Sequence, residues 1–245
     1  MILLMDLQEN LLKEIVPFNN PLILEVGAAD GEGTKKLLNL FEEAKIYSFD
    51  ADPRAISCHE KFVNDDRCVL VNKAISNEEG TMKFHLSNKT SQHDAKLQRE
   101  SRKEIYEQAT EVLKEVCPDY TPTTSVHGGW FYSSTILENQ YEGARGLNWL
   151  KTVEVEVTTL DKWCEENKIE HIDLLWTDVE GAEKRMIEGA KNILPHTDYV
   201  LLEYGLTDMF PEAMTREETI EFMKGYNFDL YADYSSIDLL FKRND

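Results

Sequence analysis

Acidic and glycine residues recur in this sequence where the chain leaves a predicted strand, and that combination decides what it could bind. Ile23-Leu24-Glu25-Val26-Gly27-Ala28-Ala29-Asp30-Gly31-Glu32-Gly33-Thr34 passes from an apolar run through a glycine-rich turn into Lys35-Lys36-Leu37-Leu38, which has helical spacing. A strand, a glycine turn and a helix N-terminus in succession form a site for a nucleotide-like ligand, because glycine lets backbone approach the ligand closely. The dinucleotide fingerprint G-x-G-x-x-G would need glycine at Ala29 and Glu32, and a phosphate-binding loop would need lysine and hydroxyl in the reverse of Thr34-Lys35. Neither pattern is met. The acids Glu25, Asp30 and Glu32 would repel a pyrophosphate and suit a ligand carrying an ammonium or sulfonium cation, such as S-adenosylmethionine.

Further candidates follow at later predicted strand ends. Asp50, next to Ala51, closes Lys45-Ile46-Tyr47-Ser48-Phe49 about twenty residues past the turn, where an acid accepts from both ribose hydroxyls of a nucleoside. Asp52 is a weaker candidate for that role. Lys73 and Ala74 lie at the exit of a third strand and could frame an adenine. Asp178 ends the run Ile172–Thr177, and Glu203 lies near the end of Tyr199–Tyr204. A carboxylate or a histidine in hydrogen-bond reach of a hydroxyl can act as general base. Asp178 leads for that role, with Glu180, Glu203 and His127 as alternates. Acids placed there also suit a helix N-terminus. Carboxylates at adjacent strand ends could instead hold Mg²⁺, which prefers oxygen ligands, although no complete metal-ligand pattern is visible.

The elements that must position these residues alternate strand and helix. Residues 2–16 have the spacing of an amphipathic helix stopped by Pro17. Strands are predicted at about 22–26, 45–50, 68–75, 81–86, 153–157, 172–177 and 199–204, with two more in the tail from Asn227 to Arg243. Helices follow the glycine turn, Pro53, Thr159 and Asp178. This alternation predicts an α/β fold with a doubly wound, mostly parallel sheet, in which ligands sit beyond the C-terminal strand ends. Gly27, Asp50, Ala74, Asp178 and Glu203 all fall at such ends. Residues 88–127 interrupt the alternation as a helical insert, with apolar Ile105, Ala109, Val112, Leu113 and Val116 and a stop at Pro118. It reads equally as a solvated helix or as a lid or substrate-recognition element. His127-Gly128-Gly129-Trp130-Phe131-Tyr132-Ser133-Ser134 could wall a pocket.

At 245 residues the chain reads as a single domain, 1–245. Its formal net charge of −20 disfavours nucleic acid and anionic membrane surfaces as partners. Cys58, Cys68, Cys117 and Cys164 lack metal-site spacing and read as reduced thiols of a cytoplasmic protein. The apolar start Met1–Met5 is too short for a signal segment, and no run is long enough to insert in a membrane.

Glu25-Val-Gly-Ala-Ala-Asp-Gly, Phe49-Asp50-Ala-Asp-Pro53, Val157-Thr-Thr-Leu-Asp161 and Asp178-Val-Glu-Gly-Ala-Glu183 together resemble the FkbM family of S-adenosylmethionine-dependent methyltransferases, over roughly Leu22 to Tyr204. The resemblance implies a Rossmann-like, seven-stranded class I methyltransferase sheet. It implies that Gly27, Ala28 and Gly31 line the methionine part of the cofactor, that Glu25 anchors the turn, and that Asp50 takes the place of a ribose-binding glutamate. Asp30, Thr34, Ala51, Lys73, Ala74 and Asp178 complete the expected cofactor shell. It also sets Asp178 facing the active site and Ser133-Ser134 near it. The family often has asparagine at Ala29 and Glu-Pro at Asp50-Ala51, and its insert is usually shorter. The expected function is O-methylation of a hydroxyl on a sugar, glycan or secondary metabolite, with a small-molecule or glycan acceptor and a homodimer as candidate partners. The alternatives are a non-catalytic module that only binds the cofactor and an NAD-dependent oxidoreductase, which the failed fingerprint opposes. A nucleic-acid methyltransferase is opposed by the acidic balance.

Overall fold

Neighbouring residues along the central strands bury themselves in opposite directions, and this fixes the architecture. The computed structural model describes residues 11–14, 16, 20–89, 103–118, 134–137, 147–205 and 207–244. In β1 (Leu22–Val26), Ile23 joins one apolar cluster and Leu24 another. Ile46 and Tyr47 divide in the same way in β2 (Lys45–Asp50), as do Leu201 and Leu202 in β8 (Thr197–Glu203). A strand apolar on both sides must lie in a sheet covered on both faces. One face is covered by α1 (Glu32–Leu40), through Leu37 and Leu38, and by Leu12 and Val16. The other is covered by α4 (Leu160–Asn167), α5 (Glu183–Glu188) and α6 (Arg216–Lys224), through Trp163, Met186 and Met223.

Seven strands form this sheet. Their order is β3 (Cys68–Asn72), β2, β1, β7 (Ile172–Thr177), β8, β10 (Asp238–Arg243) and β9 (Phe228–Asp233). The pairs β3–β2, β2–β1, β1–β7 and β7–β8 are parallel, and β10 runs antiparallel to both neighbours. The doubly wound, mostly parallel, seven-stranded sheet is therefore present.

The third strand ends at Asn72, and its exit, read over Lys73-Ala74-Ile75, forms a strand of its own after a break at Lys73. This strand, β4 (Ala74–Ile75), leaves the main sheet and pairs with β6 (Leu147–Thr158) in a separate three-stranded sheet of order β4-β6-β5, with β5 being Gly80–Lys89. Lys73 donates its backbone N–H to Val71 rather than to a neighbouring strand, which marks the break.

The insert contributes α3 (Lys103–Val116). It packs on α2 (Pro53–Phe62): Ala109 meets Ala55 and Cys58, and Gln108 Nε2 donates to Ser57 Oγ at 2.7 Å. None of its described residues lines the central cavity. Most of the predicted helix over 2–16, the remainder of the insert, His127 and Ser133 lie outside the described residues.

Candidate active site

The glycine turn is built from below. Glu25, at 4% exposure, accepts hydrogen bonds from the hydroxyls of Thr34 and Ser48, the latter at 2.8 Å, and Thr34 Oγ1 also lies 3.0 Å from His59 Nε2. Burial pushes the Glu25 carboxyl up to about 7, against the pull of the two hydroxyls. Burial lowers His59 to about 4. Thr34, Asp30 and Ala28 are likewise buried, and Asp30 Oδ1 accepts the Glu32 N–H at 3.1 Å. Glu25, Ala28, Asp30, Gly31 and Thr34 do not line the cavity. They form the scaffold of the turn, and Gly27 and Ala29 are the turn residues at the cavity wall.

Gly27 has φ 92°, and a Cβ there would sit 1.7 Å from the Asp178 carbonyl oxygen. The turn after β1 and the turn after β7 touch at this point, with the Asp178 N–H donating to the Val26 carbonyl at 2.9 Å. Only glycine tolerates both the backbone region and the close approach.

Asp50 joins the first turn to the second. Its Oδ2 accepts the Ala29 N–H at 2.8 Å, and its Oδ1 accepts the N–H groups of Ala51 and Asp52 at 2.7 and 2.8 Å. Burial and the neighbouring Asp52 charge raise its carboxyl to about 7, while the three N–H groups oppose the rise. Asp52, read as a weaker ribose ligand, has another task. It caps α2 through the Arg54 N–H at 2.8 Å and forms a fully buried ion pair with the Arg54 guanidinium at 2.6 Å. Ser134 donates to the same carboxylate at 2.7 Å, and Arg54 donates to the Ser87 carbonyl at 3.0 Å. The pair therefore ties the cofactor side to β5 and to residues 134–137. The signal was present in Asp-Pro-Arg, an N-cap before a helix-starting proline.

On the far side of Gly27, Asp178-Val179-Glu180-Gly181-Ala182-Glu183 forms a loop held by its own last residue. Glu183 Oε1 accepts the N–H of Val179 at 3.0 Å and of Gly181 at 3.3 Å, with Glu180 and Gly181 at φ 52° and 91°. Burial raises Glu183 to about 7. Asp178 is open to the cavity yet deep below the molecular surface, and that enclosure raises its pKa. Glu203, 8% exposed at the end of β8, is raised further, first by burial and then by the charge of Asp178. The two side chains hydrogen-bond each other and so share one proton, held more firmly on Glu203.

These turns enclose a cavity of about 290 Å³ that includes Gly27, Asp50, Ala51, Lys73, Ala74, Asp178, Glu180 and Glu203 of the expected residues. Lys73 reaches the wall, and its ammonium pairs with Glu156. Four wall residues escaped the sequence reading: Phe84 from β5, Thr135, Ile136 and Ile237, the last from the β9–β10 turn. The small sheet supplies the first, and only its separate pairing shows that β5 faces the site. The motif residue Asp161 is structural: its carboxylate accepts the N–H groups of Asn192 and Ile193, each at 2.9 Å.

A glycine turn in contact with an acidic loop, both at C-terminal ends of a parallel sheet and with an acid at the next strand end, stands where open α/β sheets hold their ligands. The family described as Methyltransferase FkbM domain matches residues 25–230. The chain belongs to that family, and membership implies S-adenosylmethionine as methyl donor. Among curated relatives, 2-O-methyltransferase NoeI of Sinorhizobium fredii (strain NBRC 101917 / NGR234) is 28% identical over 218 residues, covering 88% of this chain and 75% of that protein. The crystal structure of methyltransferase FkbM from Methylobacillus flagellatus KT superposes with a TM-score of 0.48 at 8% identity, covering 91% of this chain and 44% of that one, so this chain spans under half of its length. A putative rRNA-methylase from Clostridium thermocellum gives 0.44 at 12%, covering 98% and 96% of the two chains.

The residues fit the methyl donor. Gly27 and Ala29 present the glycine turn at the cavity wall, Asp50 stands at the second strand end, and the cavity carries acids rather than a cluster of basic groups.

Proposed function

We propose that the chain transfers a methyl group from S-adenosylmethionine to a hydroxyl oxygen of a sugar, glycan or small metabolite. The observation that carries this reading is Asp178: a carboxylate open to the cavity, at the loop that touches the cofactor turn. The bound donor supplies an already activated methyl and leaves as a neutral thioether. The chain's work is to align donor and acceptor and to receive a proton. Gly27 and Ala29 let the donor lie against backbone, Asp50 accepts from ribose hydroxyls, and Lys73 and Ala74 border the base. Asp178 takes the acceptor hydroxyl's proton, so its negative charge is neutralised as the oxygen–methyl bond forms. Phe84, Ile136 and Val179 keep water from that oxygen.

The 28% identity to a 2-O-methyltransferase supports oxygen as the acceptor atom. The net charge of −20 supports a neutral or cationic acceptor over nucleic acid. Four free cysteines, with no disulfide among the described residues, support a reducing compartment such as the cytoplasm. No helix among the described residues is long and apolar enough to cross a membrane.

Calorimetric titration with S-adenosylmethionine, with NAD as control, tests the cofactor. Saturable binding of the first alone is expected. Incubation with methyl-labelled donor and a panel of polyols and oligosaccharides then tests the reaction, through formation of S-adenosylhomocysteine. Donor binding with no conversion on any acceptor would favour the binding-module alternative.

A further inference from the structure

We infer that Asp178, Glu180 and Glu203 form a site for one divalent cation that prefers oxygen donors, Mg²⁺ or Mn²⁺, within the cavity. One carboxylate oxygen from each lies within 4.8 Å of the other two. Oxygens sharing one Mg²⁺ at about 2.1 Å are at most ~4.2 Å apart, and those sharing Ca²⁺ at about 2.4 Å are at most ~4.8 Å apart. The three therefore close on a single ion with side-chain movements below an ångström.

A second observation is independent of that clustering. Glu203, 8% exposed and bordering the cavity, has a buried Oε2 that receives no N–H or hydroxyl donor, and its side chain meets only another acid, Asp178, so that a cation can take the place of the proton between them. A buried carboxylate oxygen left unpaired is costly, and a coordinated cation removes the cost. Among the described residues lining the cavity Lys73 is the one cationic side chain, and it is paired with Glu156. The loop geometry keeps the carboxylates together, because Glu183 holds Val179 and Gly181 by their N–H groups and leaves Asp178 and Glu180 directed from fixed backbone.

The molecule holds a second such cluster, His171, Asp173 and Asp198, and it makes the contrast clear. There Asp173 accepts the Leu22 N–H at 2.7 Å and Asp198 pairs with Arg243 at 3.3 Å. Its carboxylates are held by a backbone N–H and a guanidinium, and it joins strand beginnings at the opposite end of the sheet from the cavity.

An ion among Asp178, Glu180 and Glu203 would act as a Lewis acid that lowers the pKa of a coordinated hydroxyl. That role rests on the methyl-transfer reading; the binding of the ion does not. The test is titration of the metal-stripped full chain with Mn²⁺, followed by the electron paramagnetic resonance signal of free ion, with and without saturating S-adenosylmethionine. One site per chain is expected. Glu203→Gln, which keeps the shape, should weaken it about 100-fold, since loss of even supporting contacts costs 10–100-fold. Asp198→Asn should leave it unchanged. A thermal melt of Glu203→Gln at or above the parent's shows that the fold survives. No saturable Mn²⁺ binding up to millimolar ion, unchanged binding in Glu203→Gln, or stoichiometric displacement of Mn²⁺ by S-adenosylmethionine would each overturn the site, the last by assigning the acids to the donor's ammonium group. Mn²⁺ binding without S-adenosylmethionine binding would sink the methyl-transfer reading and leave the ion site standing.

Discussion

The two halves of the cavity use the same side chain in opposite ways. Around the glycine turn, Asp50 accepts three backbone N–H groups, two on Oδ1 and one on Oδ2, and Glu25 Oε2 accepts two hydroxyls, so these acids hold turns together while Asp50 Oδ2 keeps one acceptor position toward the cavity. Around the second turn, Asp178 opens on the cavity beside Glu203, whose Oε2 is buried with no N–H or hydroxyl donor on it. Acids held by several backbone N–H or hydroxyl donors shape a binding surface. Acids short of donors remain reactive toward a proton or a cation. Hydrogen-bond satisfaction, more than residue type or strand position, separates scaffold from chemistry here.

Asp178→Asn breaks the comparison most directly. Turnover should fall by about 10³-fold, within the range for loss of a general base, while the donor's Kd stays nearly constant. Normal turnover would return Asp178 to the scaffold. Gly27→Ala strikes the contact between the halves, and the clash with the Asp178 carbonyl plus left-handed strain should cost at least ~2 kcal/mol of stability, read by denaturant melts. Asp50→Asn should weaken donor binding by roughly tenfold to a hundredfold, the worth of hydrogen bonds to a charged group, without changing which acceptor is used.

Stability against pH sharpens the scaffold side. Glu25, Asp50 and Glu183 have folded pKa values raised to about 7, so their contribution is full below the unfolded value and lost as pH rises through 7. His59, lowered to about 4, contributes above its unfolded value of 6.5 and loses this as pH falls through 4. From pH 6.5 to 8 the three acids together outweigh the remaining deprotonation of unfolded His59, and the melting temperature should drop across that window. A flat or rising profile would show that these acids are ionised in the fold. Smallest is Lys73→Met, which breaks a partly exposed pair with Glu156 and should cost less than about 1 kcal/mol.

The main sheet was legible because its strands are short apolar runs ending in an acid or glycine, a pattern set by burial on both faces and by ligand-facing ends. The small sheet was not. Thr81–Leu86 and Val153–Val157 alternate as strands should, but alternation does not name a partner, and the break at Lys73 that moves Ala74 to a new sheet is a change in pairing that local spacing does not encode. Asp178, Asp50 and Glu203 could be placed by counting to strand ends. The roles of Glu183 and Asp52 depended on which N–H groups the folded loop presents; Ile237 arrives from a distant segment that no motif connects to the site, whereas Thr135 directly follows Ser134, which the family resemblance set near the site and which lines the cavity.

The pairing of β5 with β6 has a further consequence. Lys89 lies opposite Leu147, so residues 90–146 depart from and return to adjacent points on a two-strand stem. A loop closed at its base makes modest entropic demands as it lengthens, roughly 0.6 kcal/mol per doubling. The stem is thus a point where this connection can change length at small cost, provided that residues 134–137 still return to the cavity wall and Ser134 to the Asp52 carboxylate.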